Sequence, residues 1–221
     1  MPLKRLKYFY PAARFNLRKH LHGAGSYLSP EPTFDQAGLE FFAAAIRESR
    51  VYLEYGSGGS TLMASRFVSR LVSVEPDAIF AKAVRAALPE TRANIAILTP
   101  DIGLTRDWGF PVFDRPTPAR IAKWKRLPQA PWKVLSTDVP DLILIDGRMR
   151  VACALESLLR VNPATKILID DYVDVGRNYK PVEQFADLIA MHGRMAEFRK
   201  REAFDEQACR TRLDLAYSDV S

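Results

Sequence analysis

Carboxylates stand at Glu54, Glu75, Asp101, Asp146 and the pair Asp170-Asp171, each just behind a short apolar run. The first of them lies two residues before the turn Gly56-Ser57-Gly58-Gly59-Ser60-Thr61. Glycines let backbone approach a ligand closely, and the question is which ligand. A phosphate-cradling loop needs a lysine and a hydroxyl after its last glycine, the ammonium reaching the phosphates. This turn has no lysine, which argues against nucleoside-triphosphate hydrolysis. A dinucleotide turn reads G-x-G-x-x-G, its last glycine allowing close helix–strand packing. Here Thr61 occupies that position. Chemistry based on acids at strand ends is what remains.

Those acids need a scaffold, and the hydrophobic pattern supplies one. Helical spacing runs from Phe34 to Ser49, and the buried strand Val51 to Tyr55 breaks at the glycines. A helix over Thr61 to Ser69, a strand over Leu71 to Val74, a helix over Ala78 to Leu88 and a strand over Asn94 to Leu98 follow. Asp141 to Ile145 and Lys166 to Ile169 read as further strands, with a helix from Val151 to Arg160 between them. The spacing then predicts a helix over Val182 to Met191 and two final strands, Met195 to Arg201 and Arg212 to Tyr217. Strands alternating with helices argue for an α/β domain with a mainly parallel sheet covered on both faces. In such sheets ligands bind beyond the carboxyl ends of the strands. That is where the five acidic positions fall.

The stretch Glu54-Tyr55-Gly56-Ser57-Gly58-Gly59-Ser60 resembles the E/D-x-G-x-G-x-G turn of class I S-adenosylmethionine-dependent methyltransferases, with Ser60 in place of the third glycine. The resemblance covers about residues 35 to 217. It implies the Rossmann-like class I methyltransferase fold, seven strands ending in an antiparallel pair. It also implies roles. Glu54 faces a cationic sulfonium and amino-acid head group, while Gly56, Ser57 and Gly58 let backbone approach them. Glu75 accepts the ribose hydroxyls, and Asp101 is placed like the family's adenine-contacting acid. Taken singly, Glu54 or Glu75 could equally cap the helix that follows.

The runs LILIDGRMR (142–150) and ILIDDY (167–172) resemble the metal-dependent small-molecule O-methyltransferases. In that branch Asp146, Asp170 and Asp171 would hold Mg2+ or Ca2+, hard cations that take oxygen ligands. The ion would favour an ionised acceptor hydroxyl, with Asp146 as the catalytic acid group. The same three acids could instead shape turns. A lysine base near the fourth strand is missing; Arg148 and Arg150 stand there and hold their protons too firmly for that work. Arginine suits an anionic group on the acceptor, so Arg148, with Tyr172 and Trp108, is a candidate for acceptor binding. His20, His22 and His192 form no constellation with a nucleophile, and Cys153 sits in an apolar helix.

The chain has 221 residues, 48% hydrophobic and 26% charged, with a net charge of +6. No apolar run is long enough for a membrane span, and two cysteines give no disulfide framework. A cytoplasmic setting is expected. Residues 1–33 read as a basic arm and residues 34–221 as the catalytic domain. Within the arm, residues 1–22 carry Lys4, Arg5, Lys7, Arg14, Arg18 and Lys19 with no acid. This segment suits a membrane surface, RNA or plain solvation. The connection 103–140 is rich in proline and holds all three tryptophans, as a lid, a substrate wall or a cover for the sheet edge. The reading is therefore a methyltransferase acting on a small-molecule acceptor, at oxygen, of unspecified oligomeric state. The alternative is a non-catalytic binding protein of the same fold that engages a partner through its arm.

Overall fold

The computed structural model describes residues 28–173 and 178–221, together with positions 13 and 17. The expected arm of residues 1–22, with His20 and His22, lies outside the described residues apart from those two positions.

Seven strands form one sheet: β1 (Val51–Tyr55), β2 (Arg70–Val74), β3 (Asn94–Leu98), β4 (Leu142–Ile145), β5 (Lys166–Ile169), β6 (Ala186–His192) and β7 (Met195–Lys200), in the order β3-β2-β1-β4-β5-β7-β6. The first five run parallel and β7 enters antiparallel to β5. Strands β1 and β4 are buried along their whole length. This is why β4 reads as an unbroken apolar run and β1 as one interrupted only by Glu54. The order reverses between β1 and β4, the switch point where a crevice opens beyond the carboxyl ends.

Helices cover both faces. On one, α1 (Gln36–Glu48) lays Phe42, Ala45 and Ile46 against Tyr52, Leu142, Leu144 and Leu168. Asp35 caps α1 by accepting from the Gly38 N–H at 2.8 Å. Next along the chain are α2 (Gly59–Ala64), following the glycine turn, and α3 (Ala78–Ala87), with Leu62, Ala81 and Val84 packed on Ile97. On the other face, α4 (Pro118–Trp124), α5 (Arg126–Leu135) and α6 (Arg150–Leu158) pack Trp124, Leu127, Leu135 and Leu155 on Leu53, Tyr55, Ile143 and Ile145. The 103–140 connection thus builds part of the core through its two helices. A single turn, α7 (Lys180–Glu183), and α8 (Glu206–Ala216) complete the described helices.

Two expected elements are exchanged. Residues 186–192 form the edge strand β6 and not a helix, while 206–216 form helix α8 where a strand over 212–217 is expected. The antiparallel pair exists, built from β6 and β7. An edge strand that leaves Leu188, Ile189 and Met191 exposed shows no alternation to betray it. Its signal is the two-residue Gly193-Arg194 connection between His192 and Met195, a hairpin turn. For α8 the signal is Asp205, whose carboxylate accepts from the Ala208 N–H at 2.9 Å, with Cys209, Leu213 and Ala216 on the buried face.

The hairpin turn is locked to the start of the domain. Gly193 has φ +62°, and a Cβ there would overlap the Asp35 carboxylate. That carboxylate also accepts from the Arg194 N–H at 2.7 Å. Gly193→Ala is expected to lose about 1–3 kcal/mol of stability from the left-handed backbone alone, read as a lowered urea midpoint with an unchanged slope.

Candidate active site

Glu54 lies at the centre of the switch point, entirely buried. Its carboxylate accepts from Tyr52 Oη at 2.9 Å, from Ser60 Oγ at 2.7 Å and from Thr61 Oγ1. Thr61 Oγ1 in turn accepts from the Gly58 N–H at 2.9 Å. Burial raises the Glu54 pKa, and the hydroxyls of Thr61, Ser73, Ser60 and Tyr52 oppose that rise. The Glu54 carboxylate therefore faces the turn's own hydroxyls, unlike the ligand-facing acid that the resemblance implies. The side-chain period of two explains it: Tyr52 and Glu54 point to one face, Leu53 and Tyr55 to the other.

A small pocket opens on the Tyr55 side, lined by Tyr55, Gly56, Glu75, Trp108, Gly147 and Arg148 among others. Gly56 has φ +101°, and an added Cβ would come within 3.0 Å of the backbone at Asp146 and Gly147. From the other side, a Cβ on Gly147 would meet Tyr55 and Gly56 at 3.1 Å. The ends of β1 and β4 thus touch backbone to backbone. Gly58 has open space where a side chain would stand, so a ligand can reach the turn there. Glu75, 8% exposed, accepts from the Asp77 N–H at 2.8 Å and from the Ser57 N–H at 3.4 Å. Ser57 Oγ pairs with Ser73 Oγ at 2.5 Å. Trp108 and Gly109, from the 103–140 connection, close the pocket beside Pro76 and Arg148, and the Arg148 guanidinium lies 4.1 Å from the Phe110 ring centre.

Asp101 stands elsewhere. It is exposed, pairs with Lys123 at 3.0 Å and Arg126 at 3.7 Å, accepts from the Gly103 N–H at 2.9 Å and is not part of the pocket lining. Lys123 and the Gly103 N–H hold its carboxyl below the usual carboxylate range. Tyr172 also departs from the expected acceptor contact: its hydroxyl donates to Glu183 and its ring stacks on Tyr179 at 4.8 Å.

Asp146, Asp170 and Asp171 do come together, each offering an oxygen within 4.8 Å of the others. Two arginines already stand on them. Arg150 donates to Asp146 Oδ1 at 3.0 Å and to the Asp170 carbonyl, with Asp171 Oδ2 at 3.5 Å. Arg194 meets Asp170 Oδ2 at 3.2 Å and Asp171 Oδ1 at 3.0 Å, and donates to Thr33 O at 2.6 Å. The oxygen donors suit a hard cation in kind. As arranged, however, each carboxylate has a guanidinium partner, and a divalent ion would have to displace two of them. The residues do not fit a metal in this arrangement. Arg150, only 3% exposed, is likewise withdrawn from any acceptor. Arg194 carried no sequence signal, being 24 residues from Asp170 across a hairpin. Left-handed backbone at Met149 and Asp171 frames the cluster, strain of the kind held at functional sites.

No family model and no curated protein matches the sequence. Among solved structures, a methyltransferase-like protein from Silicibacter pomeroyi is 33% identical over 86% of this chain and 98% of its own, with a TM-score of 0.74. A TehB-like SAM-dependent methyltransferase from Corynebacterium glutamicum is a remoter likeness, 14% identical over 86% of this chain and all of its own, with a TM-score of 0.44.

Burial is the main cause that pushes the Asp146 carboxyl up to about 7; Arg150 opposes it, and Asp170 and Asp171 reinforce it. A carboxyl raised on folding favours the folded state most below its unfolded pKa, and that contribution is lost as pH rises through about 7. Urea midpoints measured from the acid side of that range to beyond it should fall with pH in the native protein. In Asp146→Asn this part of the decline should be absent.

Proposed function

From the premise that the chain belongs to the methyltransferase-like proteins of the class I methyltransferase fold, we propose that it transfers a methyl group from S-adenosylmethionine to oxygen on a small-molecule acceptor. The observation that carries this reading is Gly56 beside the Glu75 carboxylate in the wall of one pocket, with open space at Gly58 in the same turn.

When bound, S-adenosylmethionine supplies a methyl group on a cationic sulfonium, already activated for transfer. The chain's own residues then have three tasks. Gly58 lets main chain lie against the ligand without a Cβ in the way, and Gly56 lets the ends of β1 and β4 meet beside the pocket. The Glu75 carboxylate, an acceptor in the pocket wall, is of the kind that suits a pair of vicinal hydroxyls. Arg148, in the pocket wall, suits an anionic group on the acceptor and so aligns it, the main requirement of an in-line transfer.

The proton of an acceptor hydroxyl also needs a destination. Asp146 adjoins the pocket through Gly147 and has its pKa near 7, where a general base works at neutral pH. Its Oδ1 is held by Arg150, and we assign the proton to Oδ2. The reading is metal-independent, because Arg150 and Arg194 supply the countercharge that an ion would bring.

Calorimetric titration with S-adenosylhomocysteine tests this. The native protein should bind it, Glu75→Gln should weaken binding by roughly ten- to a hundredfold, the loss of a charged hydrogen-bond acceptor, and magnesium should change neither result. A folded native protein with no affinity would overturn the reading.

A further inference from the structure

Residues 104–112 form a short antiparallel ribbon beside the pocket. The Val112 N–H donates to Leu104 O at 2.8 Å, the Arg106 N–H to Phe110 O at 2.7 Å, and Thr105 bridges Pro111. Thr105, Pro111 and Val112 are buried and anchor it. At its tip Trp108, in left-handed backbone (φ 60°), is 85% exposed, and Leu104 is 54% exposed. A ribbon that presents a tryptophan and a leucine to water needs a reason, since large apolar side chains lose by that exposure.

A basic run follows the ribbon in the chain, beyond Asp114. From Arg115 to Lys133 the sequence holds six lysines and arginines and no acid. Arg120 lies 5.3 Å from the ring centre of Phe113, next to the ribbon's return strand. Lys123 and Arg126 flank Asp101, three residues before Leu104, and Asp101 offsets only one of the two charges. Protruding apolar groups followed by a run of cations match a surface that is anionic outside and apolar beneath. Tryptophan favours the boundary of a bilayer, and each cation near an anionic leaflet contributes about 1 kcal/mol. A nucleic acid would use the cations and a ring face but would gain little from Leu104.

We propose that this ribbon docks the protein on the surface of an anionic lipid bilayer, with Trp108 and Leu104 entering the headgroup boundary and Arg115, Arg120, Lys123 and Arg126 facing the headgroups. The pocket mouth, which Trp108 helps to line, then faces the membrane. Among the described residues no helix is long and apolar enough to cross a membrane, so the contact is peripheral.

Co-sedimentation of the full chain with vesicles tests this, using phosphatidylcholine alone and phosphatidylcholine mixed with phosphatidylglycerol. Retention is expected on the mixed vesicles only, falling with added salt. Trp108→Ser should lower it about tenfold, the loss of one large apolar contact. Arg115→Gln and Arg126→Gln should each lower it about fivefold, one cation's share. Tryptophan emission should shift to the blue on the mixed vesicles, and Trp108→Phe should abolish the shift, because Trp124 is buried and Trp132 Nε1 donates to Tyr55 Oη. Failure to bind either vesicle overturns the proposal. So does binding that all four variants leave unchanged, which would place the contact in residues 1–22, and so does retention of a mixed-sequence RNA with no retention on vesicles.

Discussion

A carboxylate without solvent at the middle of the sheet governs this molecule. Glu54 cannot be left without partners where it stands, since an unpaired buried charge is among the costliest features a fold can hold. Its partners come from β1 itself, through Tyr52, and from the first residues of α2, through Ser60 and Thr61. Meeting that demand draws α2 tight beneath β1 and sets the path of the intervening turn. Because Thr61 also accepts from the Gly58 N–H, the turn is fixed from both ends. The pocket on the opposite face depends on this arrangement. Gly56 and Gly147 can meet backbone to backbone only because the strands that carry them are held at that spacing.

The parallel half of the fold was legible because burial on both faces leaves a plain record: short runs of Val, Ile and Leu, each followed by a polar residue. Strands β3 and β5 fall on the residues expected from the sequence. The antiparallel end was less legible. In β6, Leu188, Ile189 and Met191 are apolar yet exposed, so hydrophobicity there does not report the inward face. The decisive residues were small and local, Gly193 at the hairpin and Asp205 at the start of α8.

The site shows the same division. Sequence position alone puts Glu75 and Gly56 at the crevice, because strand ends converge there. It cannot say to which face an acid points, and Glu54 turns inward. Nor can it reveal partners brought from afar. Asp101 is taken up by Lys123 and Arg126 from a connection whose path no local pattern specifies. Arg194 reaches Asp170 only because β7 lies beside β5.

The cluster of three aspartates and two arginines also constrains how this chain can change over generations. Asp170 is almost fully shielded, and loss of Arg194 alone would strand its charge. Loss of Asp146 or Asp171 would remove one of the two carboxylates that face Arg150, itself buried at 3% exposure. Breaking one side of such a pairing costs far more than removing both. A single replacement in this corner is therefore harder to tolerate than a compensated pair, and the five side chains answer to substitution as one unit.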